Sequence, residues 1–183
     1  TYTENYKNNY YFRGQANCQW EIAPSLFRKK DCLPLECEKI QEEMKLSKLD
    51  VFSSIFKLQH YGFSTRICDL SISPLSSLFF TIEDNSQSNS DGVVYVFNKE
   101  LAIPFSSKEV VLFSKVLLKN YPTIDALEED VFSKNQIQEI LSSNYIIQYD
   151  YHFSYTNQRA ILQGGTGILF GFDCSNDVIS PIG

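Results

Sequence analysis

The run Tyr10, Tyr11, Phe12, Arg13, Gly14, Gln15 is rich in aromatic side chains and leads into a glycine, which predicts a short strand entering a turn with Arg13 near its end. Over residues 34–59, Leu35, Ile40, Met44, Leu46, Leu49, Phe52, Ile55 and Phe56 recur among charged residues at a helical period, with Pro34 near the start. Two helices or one bent helix are expected there. Gly62 and Pro74 mark turns in the next block, and the apolar run after Pro74 predicts a short buried helix over 75–83. The polar stretch 85–92 reads as a flexible loop inside a domain, followed by a buried strand over 93–97. Helical patterns return over 107–119 and 124–142. In the second, Glu128, Glu129 and Asp130 read as a solvated face. The final third predicts strands over 145–151, 159–163 and 167–172, with Gly164 and Gly165 turning between the last two. Strands at both ends with helices between them predict an α+β fold. The expected form is one compact domain over 1–183, with a central, mostly antiparallel sheet drawing on N-terminal, middle and C-terminal strands.

A length of 183 residues suits one domain with a sizeable core, and 43% hydrophobic residues with 14% aromatics exclude a disordered, collagenous or coiled-coil chain. The net charge of -6 repels polyanions on average. Contact with nucleic acid or anionic lipid would therefore need a local basic pocket. Five cysteines, Cys18, Cys32, Cys37, Cys68 and Cys174, are odd in number and form no CxxC pair, so they read as reduced thiols. Neither an apolar run of membrane-spanning length nor the basic-then-apolar order of a signal peptide is present, and a cytoplasmic location is the expectation.

Three groups of residues can carry chemistry. Arg13 has a fixed backbone behind it and offers a planar fork of donors to phosphate or carboxylate, with the amide of Gln15 beside it. Gln59, His60, Tyr61, Ser64, Thr65, Arg66 and Asp69 concentrate donors and acceptors between apolar helices. An internal ion pair of Asp69 with Arg66 or Arg13 is the plain structural alternative. On a strand over 159–163, Arg159 and Gln163 share one face and can point together into a cleft, or form the solvated face of an edge strand. His60 and His152 lack the spacing of a zinc site, no calcium loop occurs, and no metal is expected. The chain also lacks a GxSxG elbow, a GxGxxG fingerprint and a GxxxxGK[ST] loop. Cys68 near His60 reads as a buried, inert thiol rather than a nucleophile.

Taken in order, FRGQ (12–15), Trp20, PSLFR (24–28), QHYGFSTRICDL (59–70), SPLSSLFF (73–80), DGVVYVF (91–97) and R-x-x-x-Q-G-G (159–165) resemble the FRG domain family. The chain departs from the family pattern at Ser64, at Ile67 and Cys68, and at Leu70 and Ser71, and none of these changes removes a charged residue. A weaker resemblance is to the three-part layout of ADP-ribosyltransferases. It implies NAD as a substrate held by Arg13, a supporting hydroxyl at Ser73, and Gln163 near the place of the catalytic acid, with Gln15, Tyr61, Thr65, Arg66 and Arg159 lining the nucleotide cleft. Cleavage of the nicotinamide glycosidic bond builds oxocarbenium character, which a neutral amide stabilises far less than a carboxylate does. Asp69 would then have to supply the anion, or the nucleotide would be bound without efficient turnover. Three functions remain open: an ADP-ribosyltransferase-like domain acting on a protein or nucleic-acid acceptor, a noncatalytic module for a phosphate-bearing partner, and a hydrolase using His60 and Asp69 as an acid-base pair.

Overall fold

The structure is a computed structural model that describes residues 9–28, 33–127, 131–148 and 166–180. The expected strands over 159–163 and the end of the strand over 145–151 lie outside these residues, as do Glu128, Glu129, Asp130 and His152. Strands and helices are both present, in an α+β arrangement, and the strands fall into two sheets. The chain divides into two compact units. Unit 1 comprises Thr1–Ile22, Asp69–Ile103 and Ile146–Gly167, and unit 2 comprises Ala23–Cys68, Pro104–Tyr145 and Ile168–Gly183.

In unit 1, β1 (Tyr10–Gln15) pairs antiparallel with β3 (Val93–Asn98), placing Arg13 opposite Tyr95 and Gly14 opposite Val94. Phe12 exchanges backbone hydrogen bonds with Ser71, 2.7 and 2.8 Å long, which ties β1 to the segment leading into α4 (Pro74–Ile82). This helix starts where Ser73 accepts a hydrogen bond from the Ser76 amide and Pro74 supplies the pre-set φ of a first turn. It is not the buried helix that its apolar sequence predicts. Ser77 is its buried residue, whereas Leu75, Leu78, Phe79, Phe80 and Ile82 are exposed. The cause is a close approach of backbones: a Cβ on Gly14 would sit 1.7 Å from the Ser77 carbonyl oxygen, and one on Gly92 would sit 2.7 Å from Thr81 Cβ. Small residues make that contact, so the large ones turn outward.

The strand β3 is likewise only half-buried, with Val96 exposed. The polar loop before it carries a short 3-10 turn, Asn85–Gln87, and is pinned rather than loose. Asn17 Nδ2 donates to Gln87 Oε1 at 3.0 Å, and the Cys18 amide donates to the Asp91 carbonyl at 2.7 Å.

Unit 2 is helical in its larger part. α1 (Ser25–Arg28) precedes α2 (Leu33–Ser47) and α3 (Val51–His60), the two helices expected over 34–59. The break between them follows from Lys48, which takes a positive φ of 55°, and from Asp50, whose carboxylate accepts from the Phe52 and Ser53 amides and starts α3. Lys57 Nζ then reaches Glu43 Oε1 at 2.6 Å, joining the two helices. α5 (Lys108–Lys119) buries Val110, Phe113 and Leu117 at the spacing of one helix face, and ends at Asn120 in the left-handed conformation.

The pattern over 124–142 is not one helix. A 3-10 turn at Ile124–Ala126 gives way to extended backbone at Leu127, and α6 (Lys134–Ser142) begins afresh at Ser133, whose amide donates to Gln136 Oε1 at 2.9 Å. Ile124, Leu127, Ile137 and Leu141 are buried despite the interruption. The second sheet has the strand order β2 (Ile67–Leu70), β6 (Thr166–Leu169), β5 (Tyr145–Gln148), β4 (Ala102–Pro104), and the division of the chain falls within each of these strands.

Candidate functional site

Arg13 extends from β1 and is half-buried as a residue. Its Nη1 donates to the backbone carbonyl of Asp69 at 2.9 Å, and its Nε donates to Gln15 Oε1 at 3.3 Å. Both acceptors are neutral. No carboxylate lies within ion-pair distance of Arg13 among the described residues. Gln15 is itself buried, and its Nε2 donates to the Trp20 carbonyl at 3.0 Å. Asp69 is the exposed position in a strand whose other three residues are buried. Ser73 is half-buried, with its hydroxyl engaged at the start of α4. Arg13, Gln15, Asp69 and Ser73 therefore all belong to unit 1.

The candidates in unit 2 have a different character. Arg66 has no exposed surface, and its Nε donates to Glu36 Oε2 at 2.9 Å while its amide donates to Glu36 Oε1 at 2.8 Å. Nη1 reaches the carbonyls of Phe170 and Gly171, each at 3.3 Å, and the Phe172 ring centroid stands 3.7 Å from Cζ. This is a core guanidinium closed off by an acid, two carbonyls and an aromatic face. Thr65 is sealed too, with its hydroxyl donating to Gln59 Oε1 at 3.0 Å. Tyr61 is 76% exposed at the end of α3. His60 is the last residue of that helix, and its side chain lies outside the described residues, as do Arg159 and Gln163 entirely.

Glu36 is the residue that sequence reasoning missed. A signal for it exists: it stands one helical turn before Ile40, on the stripe that α2 turns inward, where an acid requires a buried cation. Cys37 beside it is buried, and desolvation together with the Glu36 charge pushes its thiol up to about 11. Burial pushes Cys174 up to about 11 as well. Neither is poised as a nucleophile. Among the described residues no group of three metal-ligating side chains comes together, and no helix is long and apolar enough to cross a membrane.

The cluster at Arg13 falls within the reach of one protein-family model. The family model of the FRG domain matches residues 8–90, which takes in β1, the buried Arg66, Asp69 and the whole of α4. Over that stretch the chain is similar to the FRG domain family. No curated protein gives a significant match to the chain. No solved structure does so either.

Proposed function

We propose that unit 1 binds a phosphate-bearing nucleotide, NAD, through Arg13. The observation that carries this reading is the state of the guanidinium: two neutral oxygens orient it, and among the described residues no acid neutralises it. A cation so held gains more from an incoming phosphate than a mobile surface arginine does, because its orientation is fixed before binding. Asp69 adds the anion that glycosidic cleavage of NAD calls for. In that step the C1′–N bond breaks, nicotinamide leaves with the electron pair, and an acceptor nucleophile bonds to C1′ while Asp69 stabilises the intervening positive charge. The acceptor would be a protein or a nucleic acid.

A second reading, a noncatalytic module for a phosphate-bearing partner, is favoured by the enclosure of Arg66, which leaves Arg13 without that second cation for charge development. Titration of NAD into the protein by calorimetry, together with chromatography for released nicotinamide, separates the two. Binding with nicotinamide release that Asp69→Asn abolishes supports the transferase. Binding without release supports the module. Absence of NAD binding, or binding unchanged in Arg13→Ala, overturns the nucleotide site itself.

A further inference from the structure

The amide of Gln15 lies between two groups that settle which way it faces. Arg13 Nε–H can only donate, so the atom facing it must be the carbonyl oxygen, and the Trp20 carbonyl can only accept, so the atom facing that must be the NH2. One orientation satisfies both contacts, and the side chain is only 6% exposed. The turn that carries Trp20 is anchored in its own right, since the Trp20 amide donates to the Asn17 carbonyl at 3.2 Å and Asn17 Nδ2 holds Gln87 and Ser90. An anchored carbonyl thus fixes the amide, and the amide fixes the guanidinium.

We infer that Gln15 is a positioning residue that holds Arg13 with its Nε edge closed and its Nη2 edge presented to ligand. This goes further than the nucleotide reading and rests on it for the identity of the ligand. A guanidinium offers five N–H groups, and its lateral fork uses Nε together with a neighbouring Nη. With Nε committed to Gln15 and one Nη1 proton to Asp69, the lateral fork is closed at one corner. Nη2 meets no protein acceptor among the described residues. A phosphate oxygen therefore approaches Arg13 at Nη2, and a planar carboxylate is denied the two-point lateral grip through Nε. Gln15 has a second consequence: an amide orients the arginine without cancelling its charge, whereas a carboxylate in the same place would orient it and neutralise it.

The experiment uses the whole chain and reads Arg13 directly. In the unliganded protein, the Arg13 Nε–Hε resonance is followed by nitrogen-15 NMR in wild type, Gln15→Ala and Gln15→Glu, and NAD affinity is measured by calorimetry on the same samples. The expected result is a resolved, exchange-protected Nε–H signal in wild type that collapses into the free-arginine envelope in Gln15→Ala. NAD affinity should fall about tenfold there, as expected for loss of a preorganising hydrogen bond. Gln15→Glu keeps an acceptor for Arg13 Nε–H but loses the donor to the Trp20 carbonyl and cancels the charge, so it should lose more affinity than Gln15→Ala. If Gln15→Ala does not fold, Gln15→Glu alone decides: affinity lost supports the inference, and affinity retained overturns it. An unchanged signal in folded Gln15→Ala overturns it regardless of binding. If wild type fails to bind NAD while the signal still collapses, Gln15 keeps its positioning role and the nucleotide reading falls.

Discussion

Glu36 and Arg66 form a two-point ion pair with no solvent-exposed side-chain surface on either partner, one carboxylate oxygen taking the Arg66 amide and the other its Nε. The pair ties α2 to the start of β2. Such a pair is weak grounds for net stability, since burying both ions costs several kcal/mol, but breaking it leaves one charge uncompensated in the core. Glu36→Ala is accordingly expected to lower unfolding free energy by about 3–5 kcal/mol. Replacing both partners with apolar residues of similar volume should recover much of that loss. Urea denaturation of the two single variants and the double variant measures it, and a loss below about 1 kcal/mol for Glu36→Ala would contradict this account.

Gly14 is demanded by packing, not by its own backbone. An added Cβ at this position meets the Ser77 carbonyl oxygen at 1.7 Å and Phe80 Cβ at 3.3 Å, so α4 itself would have to move off the strand. Gly14→Ala is expected to cost about 3 kcal/mol or more, at or above the upper end of ordinary overpacking. Gly62 presents the opposite case: its surroundings are empty within 4 Å, but its φ of +83° disfavours any side chain. Gly62→Ala should therefore cost only about 1–2 kcal/mol, the left-handed penalty alone. Thermal unfolding of both variants gives the order, and a reversed order would refute it.

How much of this was readable from the chain depends on whether the controlling contact is local. Helix starts at Ser73-Pro74 and Ser107 carry their own signals, because the capping oxygen lies within three residues of the amide it serves. Arg13 at a strand beside a glycine was equally visible. The outward face of α4 was not, since Leu78, Phe79 and Phe80 read as core until the strand opposite is seen to require Ser77 against Gly14. Arg66 reads from the chain either as a cleft residue or as one half of an ion pair with Asp69; its partner is Glu36, thirty positions earlier, and nothing close to Arg66 in sequence marks that pairing. Local chemistry is written in neighbours, and the assignment of a charge to core or cleft is written in tertiary pairing.

The thiols should separate by burial. Cys18 is exposed, whereas Cys37, Cys68 and Cys174 are buried. With thiol values of about 11, Cys37 and Cys174 carry thiolate in only about one molecule in a thousand at pH 8. Alkylation of the native protein at that pH, mapped by mass spectrometry, is expected to label Cys18 first and Cys37 and Cys174 only under unfolding conditions. Prompt labelling of Cys37 in the folded protein would show that α2 opens locally far more readily than its packing implies.

Removing the carboxylate that starts α3 tests how strongly the two long helices of unit 2 depend on their junction. Asp50 Oδ1 accepts from the Phe52 amide at 3.0 Å and the Ser53 amide at 3.1 Å, and Asp50 Oδ2 accepts from the Ser53 hydroxyl. Asp50→Ala should cost about 1 kcal/mol, and Asp50→Asn less, since an amide oxygen can still cap. Equal losses in the two variants, measured by chemical denaturation, would show that charge rather than capping geometry sets the contribution.

The bridge between those helices provides a pH-dependent counterpart. The Lys57 ammonium and the Ser47 hydroxyl hold the Glu43 carboxyl below its ordinary value. A carboxyl whose folded-state value is depressed adds stability at pH values above its unfolded value, and that addition disappears as pH falls through the folded value. Wild type should therefore exceed Lys57→Met in melting temperature near neutral pH, and the gap should close on acidification through the carboxylate range. High salt should narrow the gap at neutral pH, because the lysine is partly exposed and screening reaches it. A gap that stays constant across the acid range would mean that Lys57 contributes through its methylene packing against α2 and not through its charge.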